Sequence, residues 1–292
     1  MQIESLKVFC DLAETGSFTK AGQLNGITQS AVTQQVHALE RRFKALLIER
    51  SNKRFRLTRE GEVLYQFGKQ IANSYESLQY RLQEVKNVVS GTIRLAAVYC
   101  VGLYDLPPCI RRFLKSYPTV NLQVRYRHLD EVYEDVSGNA ADLGIVVYPA
   151  KDSRLEIVPL RKDQMALICH PQHPLAQLKT ATLQALSGQK LVGFPGGSPA
   201  RKALDRALRE QGIEVQYVMQ LDNIETIKRA VEIDAGVAVV PPSTVAQEVT
   251  ARTLAAVTLE DESLQRPVAA IFKKDKVLSP AMRQFLALLK ES

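Results

Sequence analysis

Between Thr28 and His37 the run TQSAVTQQVH repeats polar residues at helical spacing, so that Gln29, Ser30, Thr33, Gln34 and His37 share one face of a helix. Glutamine can pair bidentately with adenine N6 and N7, and a Ser or Thr hydroxyl can serve either base type or a phosphate, so the chemistry on offer is the reading of base edges. The next stretch supplies charge. From Arg41 to Arg59 there are eight basic residues (Arg41, Arg42, Lys44, Arg50, Lys53, Arg54, Arg56, Arg59) against the single acid Glu49, a surplus equal to the formal +7 of the whole 292-residue chain. A local basic block on a neutral body points to a polyanion such as a phosphate backbone. Taken singly, each polar residue reads equally as helix surface and the block as a solvated face; their adjacency favours a nucleic-acid site.

A second constellation lies at Gly196-Gly197-Ser198-Pro199, with Arg201 two residues on. Ser198 is placed to cap a helix and Pro199 to occupy its first position; free amide groups, the helix dipole and a guanidinium would together suit a carboxylate or another small anion. A plain capped surface helix is the alternative. Catalytic patterns are missing: the chain has no P-loop, no GxSxG and no HExxH, and its four histidines (His37, His128, His170, His173) lack metal-ligand grouping. No enzyme, metal or cofactor is expected beyond a small-molecule effector. Cys10, Cys100, Cys109 and Cys169 form no CxxC pair and read as reduced cytosolic thiols; Cys100 is expected to be a small buried thiol, with a redox switch as the alternative.

The elements that must hold these residues can be read from the same pattern. Length suggests about two folding units, and 46% hydrophobic with 24% charged residues is a globular balance with no apolar run long enough to span a bilayer. Acids at Glu4, Asp11 and Glu14 argue against a secretory signal, so a cytoplasmic protein is expected. Leu6, Phe9, Cys10 and Ala13 predict a helix over 3–14, ended near Thr15-Gly16; Ser17 caps a second over 18–24; Asn25-Gly26 is a turn; Thr28 caps a third with the apolar stripe Val32, Val36, Leu39 and Phe43. Helix, tight turn, capped helix is the helix-turn-helix arrangement, and 49–57 reads as a β-hairpin wing whose Arg50, Lys53, Arg54 and Arg56 flank the duplex. From Thr58, Leu64, Phe67, Ile71, Tyr75, Leu78, Leu82, Val85 and Val89 form a seam over about thirty residues that a small domain cannot bury, which predicts pairing with a second copy. Beyond a hinge at Ser90-Gly91, strand and helix patterns alternate in two blocks, the grammar of a parallel α/β sheet: strands at 92–99, 120–127, 141–148, 164–170, 190–194, 214–221, 236–241 and 266–272, and helices at 106–118, about 130–139, 198–212, 224–234 and 279–289.

The segment SFTKAGQLNGITQSAVTQQVHALERRFKALLIERSNKRFRLTREG resembles the N-terminal signature of the LysR-type transcriptional regulators, through Ser17-Phe18, Ala21, the run Thr28 to Thr33, Leu39-Glu40, Leu46, Arg50, Leu57-Thr58 and Gly61. Lys44 stands where that family commonly has Gly. The remainder is similar to the family's effector domain, in GTIRLAA, Leu106-Pro107, Phe113, Tyr117-Pro118, the run Ala141 to Ile145, HPLA at 173–176 and GVAVVPPS. The resemblance implies an all-α winged helix-turn-helix over 1–58, a linker and dimerisation helix over 59–90, and a two-lobed α/β effector domain over 91–292, akin to periplasmic binding proteins. Lobe one would cover about 91–161 and 268–292, lobe two about 162–267, joined by two crossover strands.

The function implied is a sequence-specific DNA-binding transcriptional regulator, a homodimer through the linker helix and a homotetramer beyond it, modulated by an anionic effector between the lobes. Ligands of open α/β sheets sit beyond the carboxyl ends of strands, where helix N-termini point. That geometry nominates Tyr99, Cys100, Val101, Gly102, His128 and Tyr148 in lobe one, and Gly197, Ser198, Arg201, Asn223 and Thr226 in lobe two. An architectural DNA binder with a vestigial cleft is the rival reading; a transport protein is disfavoured by the basic N-terminal block.

Overall fold

Each turn of the N-terminal head is fixed by its capping residue. Helix α1 (Ile3–Thr15) closes on Gly16, left-handed at φ 60°, whose N–H donates to the Leu12 carbonyl at 2.9 Å. Ser17 accepts from the Lys20 amide to start α2 (Phe18–Asn25), Gly26 ends it at φ 64°, and Thr28 accepts from the Ala31 amide to start α3 (Gln29–Phe43). Lys44 ends α3 at φ 52°, so the position where Gly is common in the resembled family is one that demands a left-handed backbone. Leu6, Phe9, Leu12, Val32, Val36 and Leu39 make the head's core. Glu40 is buried with its carboxylate accepting from the Leu47 amide at 3.0 Å, which anchors the strand leading into the wing. Ile48 and Leu57 form an antiparallel bridge at the base of that wing, and the Glu49 amide donates to the Arg56 carbonyl at 3.0 Å. The computed structural model describes residues 2–49, 55–261 and 264–291, so Arg50, Lys53 and Arg54 lie outside the described residues.

Thr58 caps α4 (Arg59–Val85), a stalk of 27 residues. Gly61 lets it cross the wing strand closely, since a Cβ there would lie 2.1 Å from the Leu47 carbonyl oxygen. Of the apolar seam, Leu64 turns into the head's core while Phe67 (58% exposed), Ile71, Leu78, Leu82 and Val85 stay in solvent within one chain. The helix stops at Val85, earlier than the seam's spacing suggests: Val89 packs on the effector domain's core, and its carbonyl accepts from the Thr119 hydroxyl at 2.9 Å.

Lobe one is built from β1 (Gly91–Val98), α5 (Leu106–Ser116), β2 (Val120–Arg127), α6 (Leu129–Ser137), β3 (Leu143–Val147), β4 (Leu155–Gln164), β11 (Gln265–Lys273) and α10 (Pro280–Lys290). Its sheet order is β2-β1-β3-β11-β4, with β2, β1 and β3 parallel and β11 antiparallel to both neighbours. Phe113 and Phe285 meet edge to face at 4.9 Å in its core. Gly144 admits α6 against the sheet: a Cβ there would come within 2.9 Å of Ile271, Val132 and Val136. Asp142, beside it, accepts from the Arg94 backbone and guanidinium and pairs with Lys276 at 2.8 Å. Burial alone would raise its pKa, but Arg94 and Lys276 outweigh burial and hold the carboxyl well below the usual carboxylate range. A depressed folded pKa stabilises fully above the unfolded value near ~3.9 and is lost as pH falls through the folded one. We therefore expect stability to be flat in this respect from neutrality to about pH 5 and to fall below about pH 4, and Asp142→Asn to flatten that acid limb in thermal melts; an unchanged limb would remove Asp142 from the explanation.

Lobe two holds β5 (Ala166–Cys169), β6 (Thr180–Ala181), β7 (Lys190–Gly193), α7 (Pro199–Glu210), β8 (Gln216–Gln220), α8 (Ile224–Glu232), β9 (Ala238–Val240), α9 (Ala246–Ala251) and β10 (Ala255–Leu259). Here the expectation of a parallel sheet needs correcting. Among the described residues β7-β8 and β10-β6 pair in parallel and Leu191 bridges Val237 in parallel, whereas β5 runs antiparallel to both β9 and β10. The strands next to the lobe crossings, β5 and β11, take their direction from the passage between lobes and not from a βαβ crossover. Leu155 and Val268 belong to the core of lobe one, Met165 and Leu264 to that of lobe two, so β4 and the start of β11 carry the chain across.

Candidate nucleic-acid interface and interlobe cleft

The polar face of α3 stands opposite its buried stripe. Gln29, Ser30, Gln34 and His37 are exposed and Thr33 is half-buried. The Gln29 amide donates to the Thr33 hydroxyl at 3.2 Å, which in turn donates to the Gln29 carbonyl at 3.1 Å, while the Thr28 and Ser30 hydroxyls lie 2.9 Å apart. These bonds hold the first turn of α3 in one arrangement before any base is met, so less side-chain entropy is lost on contact. Arg41, Arg42 and Lys44 follow on its exposed C-terminal end, and Arg56 and Arg59 on the far side of the wing are exposed as well. The expected base readers thus share the open face of α3, and five of the eight basic residues are exposed on α3, the base of the wing and the start of α4; the wing tip lies outside the described residues.

Between the lobes is a cavity of about 190 Å³. Tyr99, Cys100, His128, Tyr148 and Asn223 line it, as the sequence suggests, together with Phe194, Met165 and Arg266, which it did not single out. Three helices present their first residues to it: Leu129 of α6, Pro199 and Ala200 of α7, and Ile224 of α8. The Tyr99 and His128 rings are 5.6 Å apart, forming one wall. Tyr148 adopts a left-handed backbone at φ 48°, an unusual conformation for an aromatic residue and one that strain-storing sites employ. Burial pushes its hydroxyl up to about 12, so it stays protonated and able to donate.

Other nominated residues sit apart from the cavity. Val101 and Gly102 are buried in a π-helical turn, Val101–Asp105, and Gly102 lies under the Tyr126 ring, which a Cβ would meet at 2.5 Å. Thr226 is exposed, its hydroxyl donating to the Asn223 carbonyl at 2.7 Å. Gly197 is exposed, and Ser198 caps α7 through the Arg201 amide. Arg201 itself is taken: its guanidinium pairs with Asp205 at 2.8 Å, donates to the Phe194 carbonyl and stacks on Tyr217. A carboxylate one helical turn away and an aromatic face outcompete the neighbouring cleft for that side chain.

Besides Arg127, which pairs with Asp135, the cleft is lined by a second cation, Arg266 on β11. It is 3% exposed, donates to Asp163 at 3.1 Å through Nε and to Asp105 at 3.0 Å, and lies 3.4 Å from the Cys100 sulfur. Its one sequence signal was a basic residue opening an otherwise apolar strand, RPVAAIF. Burial pushes the Cys100 thiol up despite this neighbour, and the same cause puts Cys10 at about 12 and Cys169 at about 11; these are thiols, not thiolates, at neutral pH. Among the described residues no group of three or more metal-ligating side chains occurs, and no helix is long and apolar enough to cross a membrane.

Residues 3–62 match the model of a bacterial regulatory helix-turn-helix protein, lysR family, and residues 86–292 match the LysR substrate binding domain. The HTH-type transcriptional regulator CysL of Bacillus subtilis is 30% identical over 292 residues, covering 100% of this chain and 98% of that protein. Among solved structures, a full-length OxyR variant from Pseudomonas aeruginosa superposes with a TM-score of 0.73 at 20% identity, covering 100% of this chain and 97% of that one. Full-length CbnR complexed with its target DNA gives a TM-score of 0.63 at 22% identity, with coverage of 100% and 99%.

Proposed function

This chain belongs to the LysR family of bacterial regulatory helix-turn-helix proteins, and on that premise we propose the working parts of its regulation. It is a DNA-binding transcriptional regulator with a C-terminal effector domain, and not an enzyme. We read the exposed first turns of α3 as the base-reading surface, the arginines of the wing as phosphate contacts, and the α4 seam as the contact between two copies in a cytoplasmic homodimer. The observation that carries this reading is the arrangement of Gln29, Ser30, Gln34 and His37 outward on a helix whose other face is the head's core. Exposed sheet edges support a further step to a homotetramer: β2 and β8 are terminal strands, with Tyr126, Val218 and Met219 exposed on them.

Selection of bound fragments from genomic DNA, followed by footprinting, tests the reading and is expected to return two half-sites of approximate two-fold symmetry. On that DNA, Gln29→Ala and Thr33→Ala are expected to cost ~1–3 kcal/mol each while leaving non-specific binding unchanged. Arg54→Ala should weaken binding to every sequence and lower the salt slope by about 1. Equal losses on specific and random DNA for Gln29→Ala would remove it from base reading.

The cleft is proposed to take a small anionic effector with an apolar body. Three helix N-termini directed at one cavity favour negative charge, and Tyr99, Tyr148, Phe194 and Met165 favour an apolar frame. Thermal shifts of the full-length protein with matched small carboxylates and their amides are expected to show stabilisation by the acids alone, and Arg201→Ala is expected to keep that shift. Equal stabilisation by amides would set the anion reading aside.

A further inference from the structure

Apart from the interlobe cleft, a polar-lined cavity of about 250 Å³ lies where α1, the stalk and lobe one meet. That is far above the ~10–15 Å³ one water needs and near the lower end, ~300 Å³, of small-molecule pockets. Most of the charged groups around it are matched. Arg94 and Lys276 pair with Asp142, and Lys69 and Lys273 pair with Glu14, which also accepts from the Tyr65 hydroxyl at 3.0 Å and the Asn139 amide at 2.8 Å. Asp11 on α1 is not matched. It is 8% exposed, its oxygens accept from the Asn25 amide at 2.8 Å and the Asn139 amide at 3.4 Å, and among the described residues no cation pairs with it. Burial raises its pKa against the Asn25 bond and the charge of Lys7, as for a carboxylate that lacks a counter-ion. Lys7, one helical turn away, is 53% exposed and stands 3.7 Å from Glu76 of α4, beyond hydrogen-bond reach. The Tyr80 hydroxyl, one turn along α4 from Glu76, hydrogen-bonds to none of the described residues; burial and the Glu76 and Asp142 carboxylates push it up to about 12, so it keeps its proton and retains lone pairs that can accept.

We propose that this cavity is a second ligand site, which takes a small molecule bearing a primary ammonium group, such as an aliphatic amine or diamine. An ammonium has three N–H donors and no acceptor, and the groups on this cavity without a close cation, Asp11, Glu76 and the Tyr80 oxygen, are acceptors. The bond to Asp11 is the strong one, because a buried carboxylate gains most from a charged donor. Lys7 has a long flexible stem and withdraws into solvent when the ligand enters. A carboxylate ligand is disfavoured here, since it would meet Asp11 and Glu76 while the cations deeper in the site are already engaged with Asp142 and Glu14. This preference is opposite in sign to that proposed for the interlobe cleft, and it stands without that reading.

The test titrates the full-length protein, free of DNA, with butane-1,4-diamine, and follows binding by calorimetry and the melting midpoint. Butane-1,4-diol is the uncharged match, and potassium chloride of equal ionic strength controls for screening and for a bare alkali ion. The diamine is expected to bind saturably, one molecule per subunit, and to raise the midpoint where the diol and the salt do not. Asp11→Asn, which keeps the shape and removes the charge, should weaken binding at least about tenfold. Free of ligand, that variant should melt no lower than the unaltered protein, because it no longer buries an unpaired charge. Glu76→Gln, at a half-exposed stalk position, should weaken binding at least about threefold and keeps the test open if Asp11→Asn fails to fold. No saturable binding up to about 10 mM, equal stabilisation by the diol or the salt, or unchanged affinity in either folded variant overturns the proposal. Since the probe is a cation and DNA is absent, such a failure leaves both the anion reading of the cleft and the DNA-reading assignment untouched.

Discussion

Replacing both Phe67 and Ile71 by Asp is expected to break the contact between stalks, lowering the mass of the assembly, and to remove most of the affinity for specific DNA. Both side chains lie in solvent within one chain, Phe67 58% and Ile71 44% exposed, so the substitutions take little from the head's own core. They put two charges into the middle of an apolar seam that must become dry when two stalks meet, where an unpaired charge is far more costly than any contact it replaces. Without the partner, each head binds its half-site alone, and the gain from holding the second head nearby is forfeited; that gain is typically 10²–10⁴-fold. Sedimentation would report the mass and anisotropy the affinity. An assembly of unchanged mass, or an unchanged affinity for the full site, would contradict the assignment of the seam.

Arg266→Ala carries the second large effect. The guanidinium is 3% exposed and lies between Asp105 and Asp163, whose side chains are 7% and 19% exposed. Removing it leaves two buried carboxylates sharing Arg161 alone, which already pairs with both. Breaking a buried ion pair from one side costs about 3 kcal/mol or more, and in a domain of this size that is a fall of roughly 6–12 °C in the melting midpoint of the effector domain. Arg266→Lys should recover only part of it, since one ammonium cannot reach Asp105, Asp163 and the Cys100 sulfur in the planar fork that Arg uses. A midpoint within about 2 °C of the unaltered protein would mean the charges rearrange around the vacancy.

What could be read from residues alone was whatever depends on near neighbours. Ser17, Thr28 and Ser198 cap helices as their types suggest, the strand expected at 120–127 is there, and the one expected at 141–148 is found at 143–147. β4 escaped because Pro159 and four charges interrupt LEIVPLRKDQ; the strand tolerates the proline as the edge of its sheet. β10 escaped because its partners, β5 and β6, are more than seventy residues away in the chain. The exchange of Arg201 for Arg266 in the cleft has a similar origin. Arg201 is claimed by Asp205 and Tyr217, and Tyr217 arrives on a separate strand; nothing in the spacing around Arg201 announces that competitor. Glu14 was legible only as an acid incompatible with an export signal, because its four partners come from three distant segments.

The length of α4 has a mechanical corollary. At 27 residues it runs about 40 Å, so a tilt of about 10° at one end carries the other through roughly 7 Å. Successive base pairs rise about 3.4 Å, which makes that arc equivalent to about two steps along a duplex. The rod therefore works as an amplifier: rearrangements too slight to disturb the packing of either lobe become, at its tip, the difference between matching an operator and missing it.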